Sequence, residues 1–138
     1  MSIADVSAVA RLATQLGYPS TPAQIERRFR ALENAPEAGV MVAEGPDGAV
    51  IGWIHVFATR QLESDPGAEI GGLVVDESAR GRGIGSALME SAEAWARERG
   101  FEGVSVRSNV IRLEAHEFYK SRGYQILKSQ FKLRKRLV

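Results

Sequence analysis

From Asp5 to Leu16, apolar side chains return at every third or fourth position: Val6, Val9, Ala10, Ala13 and Leu16 form one stripe. That spacing predicts an amphipathic helix, and Gly17 is placed to stop it. A second helix is announced by local chemistry. Thr21 is suited to the N-cap, Pro22 to the first helical position, and Gln24 closes a Thr-x-x-Gln capping box. Ile25, Phe29 and Leu32 continue its apolar stripe until Asn34-Ala35-Pro36 ends it.

The period then drops to two. Val40–Glu44 and Ala49–Thr59 read as strands joined by the turn Gly45-Pro46-Asp47-Gly48. A polar loop over Gln61–Gly67 leads to an apolar strand, Ala68–Asp76, containing Ile70 and Leu73-Val74-Val75. Gly71-Gly72 within it marks either a weak or bulged strand or a place where another backbone or a ligand comes close. A helix follows from Ile84 to about Arg99, burying Ile84, Leu88, Ala92 and Trp95. Glu102–Ser108 is a further strand, Arg112–Ser121 a helix stopped by Gly123, and Tyr124–Leu137 alternates again as a last strand. The class is α/β or α+β, with an antiparallel first half and a strand–helix–strand centre.

Composition narrows the function. The 138 residues carry 18 basic and 17 acidic side chains, a net charge of +1, with 44% hydrophobic and 25% charged residues. One domain spanning 1–138 is expected. So weak a net field favours neither nucleic acid nor an anionic membrane as partner. The absence of cysteine excludes disulfides, thiolate metal sites and a cysteine nucleophile. His55 and His116 are the two histidines, and no metal-ligand spacing surrounds them. The start, Met1-Ser2-Ile3-Ala4-Asp5, lacks the charge and apolar run of a secretory signal. No apolar run approaches the ~20 residues of a bilayer span. A cytoplasmic location is the simplest expectation.

The stretch with most chemical content is Arg80-Gly81-Arg82-Gly83-Ile84-Gly85-Ser86, between a buried strand and a helix. Glycines there permit a backbone cradle ahead of a helix N-terminus. That end carries about half a positive charge and several unpaired N–H groups, which suits an anion. A P-loop would need Gly-Lys-Ser/Thr, and Gly85-Ser86-Ala87 has no lysine. A dinucleotide fingerprint would need Gly or Ala at Ser86 and an acid closing the next strand, where Glu102 instead opens it.

Arg80-x-x-Gly83-x-Gly85 is similar to the Q/R-x-x-G-x-G/A motif of the GNAT superfamily of acyl-CoA-dependent N-acyltransferases. The later segment Ala115–Tyr124, with Phe118-Tyr119 and Gly123-Tyr124, resembles that family's late helix. The resemblance extends over about residues 38–138, and the two leading helices take the places of the family's first two. It implies a single GNAT-like domain: a mixed, mostly antiparallel sheet of about six strands with about four helices and a splayed parallel pair at the cofactor site. Two departures stand out. The family's first strand is missing or very short here. Asn109, in the place of the family's strand-end asparagine, lies ten residues before Tyr119, whereas Arg112 occupies the usual spacing of seven. Either residue is a candidate cofactor contact.

The resemblance further implies acetyl-CoA as cosubstrate, without a metal. It would lie between Ala68–Asp76 and Glu102–Ser108, with its pantetheine arm on the backbone of Leu73, Val74 and Val75. Its pyrophosphate would lie on Arg80, Gly81, Arg82, Gly83, Ile84, Gly85 and Ser86. Acyl transfer to an amine needs a proton acceptor, an oxyanion donor and an acid for the leaving thiolate. Tyr119 matches the family's acid and is also a candidate cofactor contact, with a core tyrosine beside Phe118 as the structural alternative. Glu69, eleven residues before Arg80, matches the glutamate base of some members and would share a strand face with Gly71 and Leu73. His55 and His116 are weaker choices, and Trp53 is either acceptor pocket or core. Without cysteine, direct attack in a ternary complex is the expected route. A non-catalytic acyl-CoA-binding or sensor domain is the alternative class. The acceptor expectation is a primary amine, small or on a protein, and Glu63, Ser64, Asp65 and Pro66 with Glu69 would suit a cationic one. A homodimer is compatible with the resemblance. Residues 128–138 hold five basic and no acidic side chains, so the rest of the chain is net acidic.

Overall fold

A computed structural model of the chain describes residues 1–35 and 37–138; Pro36, part of the expected stop of the second helix, lies outside them. Residues 1–107 and 108–138 form two compact units.

In the first unit, helix α1 (Val6–Leu16) follows a short 3-10 turn at Ile3–Asp5. Helix α2 (Pro22–Glu33) begins as its capping residues require. The Gln24 N–H donates to Thr21 Oγ1 at 3.2 Å, and the Thr21 N–H donates to Gln24 Oε1 at 2.9 Å. Strands β1 (Ala38–Glu44), β2 (Val50–Gln61) and β3 (Ser64–Val75) form an antiparallel meander. Helix α3 (Ile84–Glu98) crosses back to β4 (Val104–Val106), which pairs parallel to β3, giving the order β1-β2-β3-β4.

Residues opposite one another across antiparallel strands share a face. One face carries Trp53, His55 and Phe57 of β2, opposite Val74, Gly72 and Glu69 of β3. Helix α1 covers part of this face, with Leu12 packed into a cluster with Val74 and supported by Leu16, Val42 and Trp53. The other face carries Gly52, Ile54 and Val56 opposite Val75, Leu73 and Ile70, and α3 packs there with Leu88, Met89, Ala92 and Trp95 buried. The apolar stripe of α3 is thus the one its spacing predicts.

The second unit contains helix α4 (Leu113–Ser121). Tyr119 lies in an aromatic group with Phe118 and Tyr124, at ring-centroid distances of 5.3 and 5.9 Å.

Three expectations are corrected. The sheet has four strands among the described residues, not about six. Tyr124–Leu137 forms no strand: Phe131, Leu133 and Leu137 are exposed, and an alternating pattern becomes a strand only where its N–H and C=O groups meet a partner. The expected loop over Gln61–Gly67 is instead a long hairpin whose pairing reaches Gln61 opposite Ser64, with Leu62-Glu63 as its turn. Pro66 does not interrupt that pairing because the register slips there, sparing it a ladder hydrogen bond.

Candidate active site

The cofactor side of the site is built from backbone. Strand β4 pairs with Ala68, Glu69 and Ile70 only, while β3 continues to Val75. Beyond Ile70 the β4-facing edge of β3 is therefore open to β4, and its polar groups can be assigned. The Asp76 N–H donates to the Ile51 carbonyl of β2 at 2.7 Å. Backbone groups alternate along a strand, so Val74 also faces β2, whereas the N–H and C=O of Leu73 and Val75 face the open edge. The Val75 carbonyl accepts from Arg80 Nε at 3.2 Å, leaving the Leu73 groups and the Val75 N–H for a ligand. Val74 contributes a buried side chain to the core instead.

That edge runs into the glycine turn. Asp76 fixes the junction: one carboxylate oxygen accepts from Arg11 Nη1 of α1 at 2.7 Å, the other from the Ser78 N–H at 3.1 Å. Arg11 and Ser78 hold the Asp76 carboxyl at about 2, below its ordinary 3.8. Gly81 and Gly83 follow with φ of 80° and 79°, left-handed conformations that side chains resist. Gly83 is the N-cap of α3 and supplies no capping side chain, and the first helical hydrogen bond is Ala87 N–H to Gly83 C=O at 3.0 Å. The N–H groups of Ile84, Gly85 and Ser86 precede that bond and have no intrahelical partner. Arg80 and Arg82 are exposed at the same turn and form no ion pair among the described residues. Open strand edge, uncapped helix end and two arginines held by backbone carbonyls without a carboxylate partner fit one ligand: an extended chain ending in phosphates.

The acceptor side is built from side chains. In β3 one extra residue, Gly71, stands between the pairs His55–Gly72 and Val56–Ile70, a β-bulge. A Cβ on Gly71 would lie 2.7 Å from His55 Nδ1 and 2.9 Å from Phe57 Cε1, and one on Gly72 would lie 2.9 Å from the Trp53 ring. The bulge reading of Gly71-Gly72 therefore holds, and what crowds the two glycines is a row of aromatic side chains from β2, not another backbone or a ligand. The bulge also corrects the expected face. Glu69 and Gly71 look toward the α1 side, but the extra residue turns Leu73 to the α3 side.

A cavity of about 260 Å³ lies over this row, beneath α1 and α2, with Trp53, His55 and Gly71 in its wall. Trp53 thus lines a cavity. Neither Trp53 Nε1 nor His55 Nε2 has a hydrogen-bond partner among the described residues, although both atoms are buried. Burial pushes the His55 imidazole below its ordinary 6.5, so it is neutral at pH 7. Arg28 of α2 also lines the cavity. It was absent from the sequence-based candidates; its position three residues after Ile25 and four before Leu32, beside the apolar stripe, was the available signal.

Glu69 lies opposite Phe57, with its carboxylate 3.4 Å from Arg107 Nε, and is not among the cavity residues. Glu63, Ser64, Asp65 and Pro66 are exposed at the hairpin tip and do not line the cavity. In the second unit, burial raises the Tyr119 phenol above its ordinary 10, with Arg112 opposing weakly. Asn109 shapes the entry to α4: its Oδ1 accepts from the Ile111 N–H at 3.2 Å, and its carbonyl is 2.9 Å from His116 Nε2. Arg112 is the N-cap of α4. Among the described residues no group of three His, Asp or Glu side chains could hold a metal, and no helix is long and apolar enough to cross a membrane.

These features meet a known sequence pattern. A model of the Acetyltransferase (GNAT) family matches residues 7–124. The chain belongs to the GNAT family. An aminoglycoside N(6′)-acetyltransferase type 1 of Stenotrophomonas maltophilia is 29% identical over 126 residues, covering 88% of this chain and 81% of that protein. An aminoalkylphosphonate N-acetyltransferase of Salmonella typhimurium is 37% identical over 92 residues, 66% of this chain and 58% of that protein. Among solved structures, the apo aminoglycoside 6′-N-acetyltransferase AAC(6′)-Ig of Acinetobacter haemolyticus superposes with a TM-score of 0.86 at 18% identity, covering 100% of this chain and 97% of that one. AAC(6′)-Iy, solved with a CoA-linked bisubstrate analogue, gives 0.84 at 18%, covering 99% and 95%. At such identities the structures speak to the fold, and they agree on it. GNAT acetyltransferases use acetyl-CoA.

Proposed function

We propose that this protein transfers an acetyl group from acetyl-CoA to a primary amine by direct attack in a ternary complex. The observation that carries this reading is the open edge of β3 running into the uncapped N-terminus of α3, between two unpaired arginines. Acetyl-CoA supplies an activated thioester. Leu73 and Val75 would hold its arm through their outward backbone groups, and the N–H groups of residues 82–86 with Arg80 and Arg82 would hold its phosphates. An outward N–H on β3 polarises the carbonyl, strengthening as negative charge develops on its oxygen.

The new C–N bond forms as the C–S bond breaks, and one proton must leave the amine while one reaches the thiolate. Tyr119 is the proposed donor, since burial keeps its phenol protonated at neutral pH. Glu69 and His55 are the proposed acceptors. His55 is favoured by position: it lines the cavity, is neutral, and has an Nε2 without a partner. Asn109 or Arg112 supplies a further cofactor contact.

Thiol release from acetyl-CoA, measured against a panel of primary amines, tests this reading. Saturable turnover with at least one amine is expected. Calorimetric binding of acetyl-CoA with no turnover would support the non-catalytic alternative, and neither binding nor turnover would end both.

A further inference from the structure

The cavity beneath α1 and α2 has a lining of one sign. Its walls are mainly apolar, including Val9, Ala13 and Leu16 of α1 and Ile25 and Phe29 of α2, and no aspartate or glutamate lines it. Arg28 does. It is exposed at the cavity rim, where its Nη1 donates to Ser20 Oγ at 3.0 Å; Ser20, a neutral partner, lines the cavity too. No carboxylate pairs with Arg28 among the described residues. The acids that would attract a polycation, Glu63 and Asp65, stand at the exposed hairpin tip. A second hollow of about 110 Å³ carries Glu33, but it lacks Trp53, His55 and Gly71.

We infer that this cavity selects a small, largely apolar primary amine that also bears one anionic group, a carboxylate or a phosphonate, with Arg28 as its counter-charge. The inference rests on the acetyltransferase reading and specifies its acceptor. Volume points the same way: about 260 Å³ falls below the roughly 300–1,000 Å³ of pockets for drug-sized ligands. Charge decides between classes. Each additional ammonium of a polyamine or amino sugar would lose hydration against apolar walls with no carboxylate to replace it. The reacting amine must shed its proton in any case. Trp53 and His55 line the cavity at the sheet floor, where the amine would bind, while an acid group on the same molecule reaches Arg28 at the α2 side.

The test is kcat/KM by thiol release for matched amines: 2-phenylethylamine, phenylalanine, 1-amino-2-phenylethylphosphonate and spermidine. The acid-bearing pair should exceed 2-phenylethylamine by about tenfold, the scale of one charge-assisted hydrogen bond, and Arg28→Glu should reverse that ratio. Preference for either acid supports the inference, and the two arms identify the acid group. Equal or better turnover of 2-phenylethylamine or spermidine overturns the inference while acetyl transfer stands, as does a ratio that Arg28→Glu leaves unmoved. No turnover with either acid-bearing amine also overturns it. Failure of the acetyltransferase reading is recognised separately, by the absence of both acetyl-CoA binding and turnover with every amine.

Discussion

The two sides of the first unit make their sites from different materials. The edge of β3 and the turn into α3 use backbone: outward N–H groups at Leu73 and Val75, left-handed Gly81 and Gly83, and an uncapped helix end. Their side chains matter mainly as charge, at Arg80 and Arg82. The face beneath α1 and α2 uses side chains, an aromatic row set against a bulge, with one arginine and two orphaned polar atoms. A backbone site can serve one invariant cofactor across many sequences, whereas a side-chain site changes its ligand with each substitution. On the proposed reading, that contrast would put specificity in the cavity and the shared chemistry on the edge.

The comparison is broken most strongly by removing the chemistry both sides serve. Tyr119→Phe should lower kcat by about 10²- to 10⁴-fold, the usual worth of a general acid, with acetyl-CoA affinity nearly preserved. Stopped assays and calorimetry on the same preparation would separate the two effects. On the backbone side, Arg82→Glu should weaken acetyl-CoA binding by about tenfold to a hundredfold in a calorimetric titration. On the side-chain side, Gly71→Val forces a Cβ into the 2.7 Å gap at His55 and should cost about 1–3 kcal/mol of stability in denaturant unfolding.

Acid sharpens the same contrast. His55 is held below its ordinary 6.5, so the folded chain binds fewer protons than the unfolded chain as pH falls through that region. His55's contribution to stability is full above about 6.5 and is lost as pH falls through its lower folded value. As proton acceptor it would also give kcat/KM an acidic limb below 6.5, which His55→Gln should remove with most of the activity. Asp76 acts at lower pH: its contribution is present above the ordinary 3.8 and lost as pH falls toward about 2. In thermal melts, Arg11→Ala should flatten that last decline, the smallest effect in the series.

Which parts were legible follows from how far each signal reaches along the chain. The capping box Thr21–Gln24, the glycine turn and the apolar stripe of α3 are local, and all three stand where the spacing places them. The bulge at Gly71 is not local. It is fixed by the packing of Trp53 and His55 from another strand, and one extra residue was enough to turn Leu73 away from Glu69. The hairpin tip misled for another reason: Ser64-Asp65-Pro66 has loop composition, yet it lies between the pairs Gln61–Ser64 and Thr59–Gly67 and is carried as strand. In Tyr124–Leu137 the alternation was real and the strand partner was absent. Arg28 was hidden because it is an exposed residue on an amphipathic helix, and only the fold shows that it stands at the cavity.

The most direct test of the central claim follows backbone amide resonances while acetyl-CoA is titrated into the protein. Leu73, Val75 and residues 82–86 should shift together with one saturation curve, and the amides of α2 should move little. Saturable shifts confined to the cavity residues, or none at the edge and turn, would contradict the account.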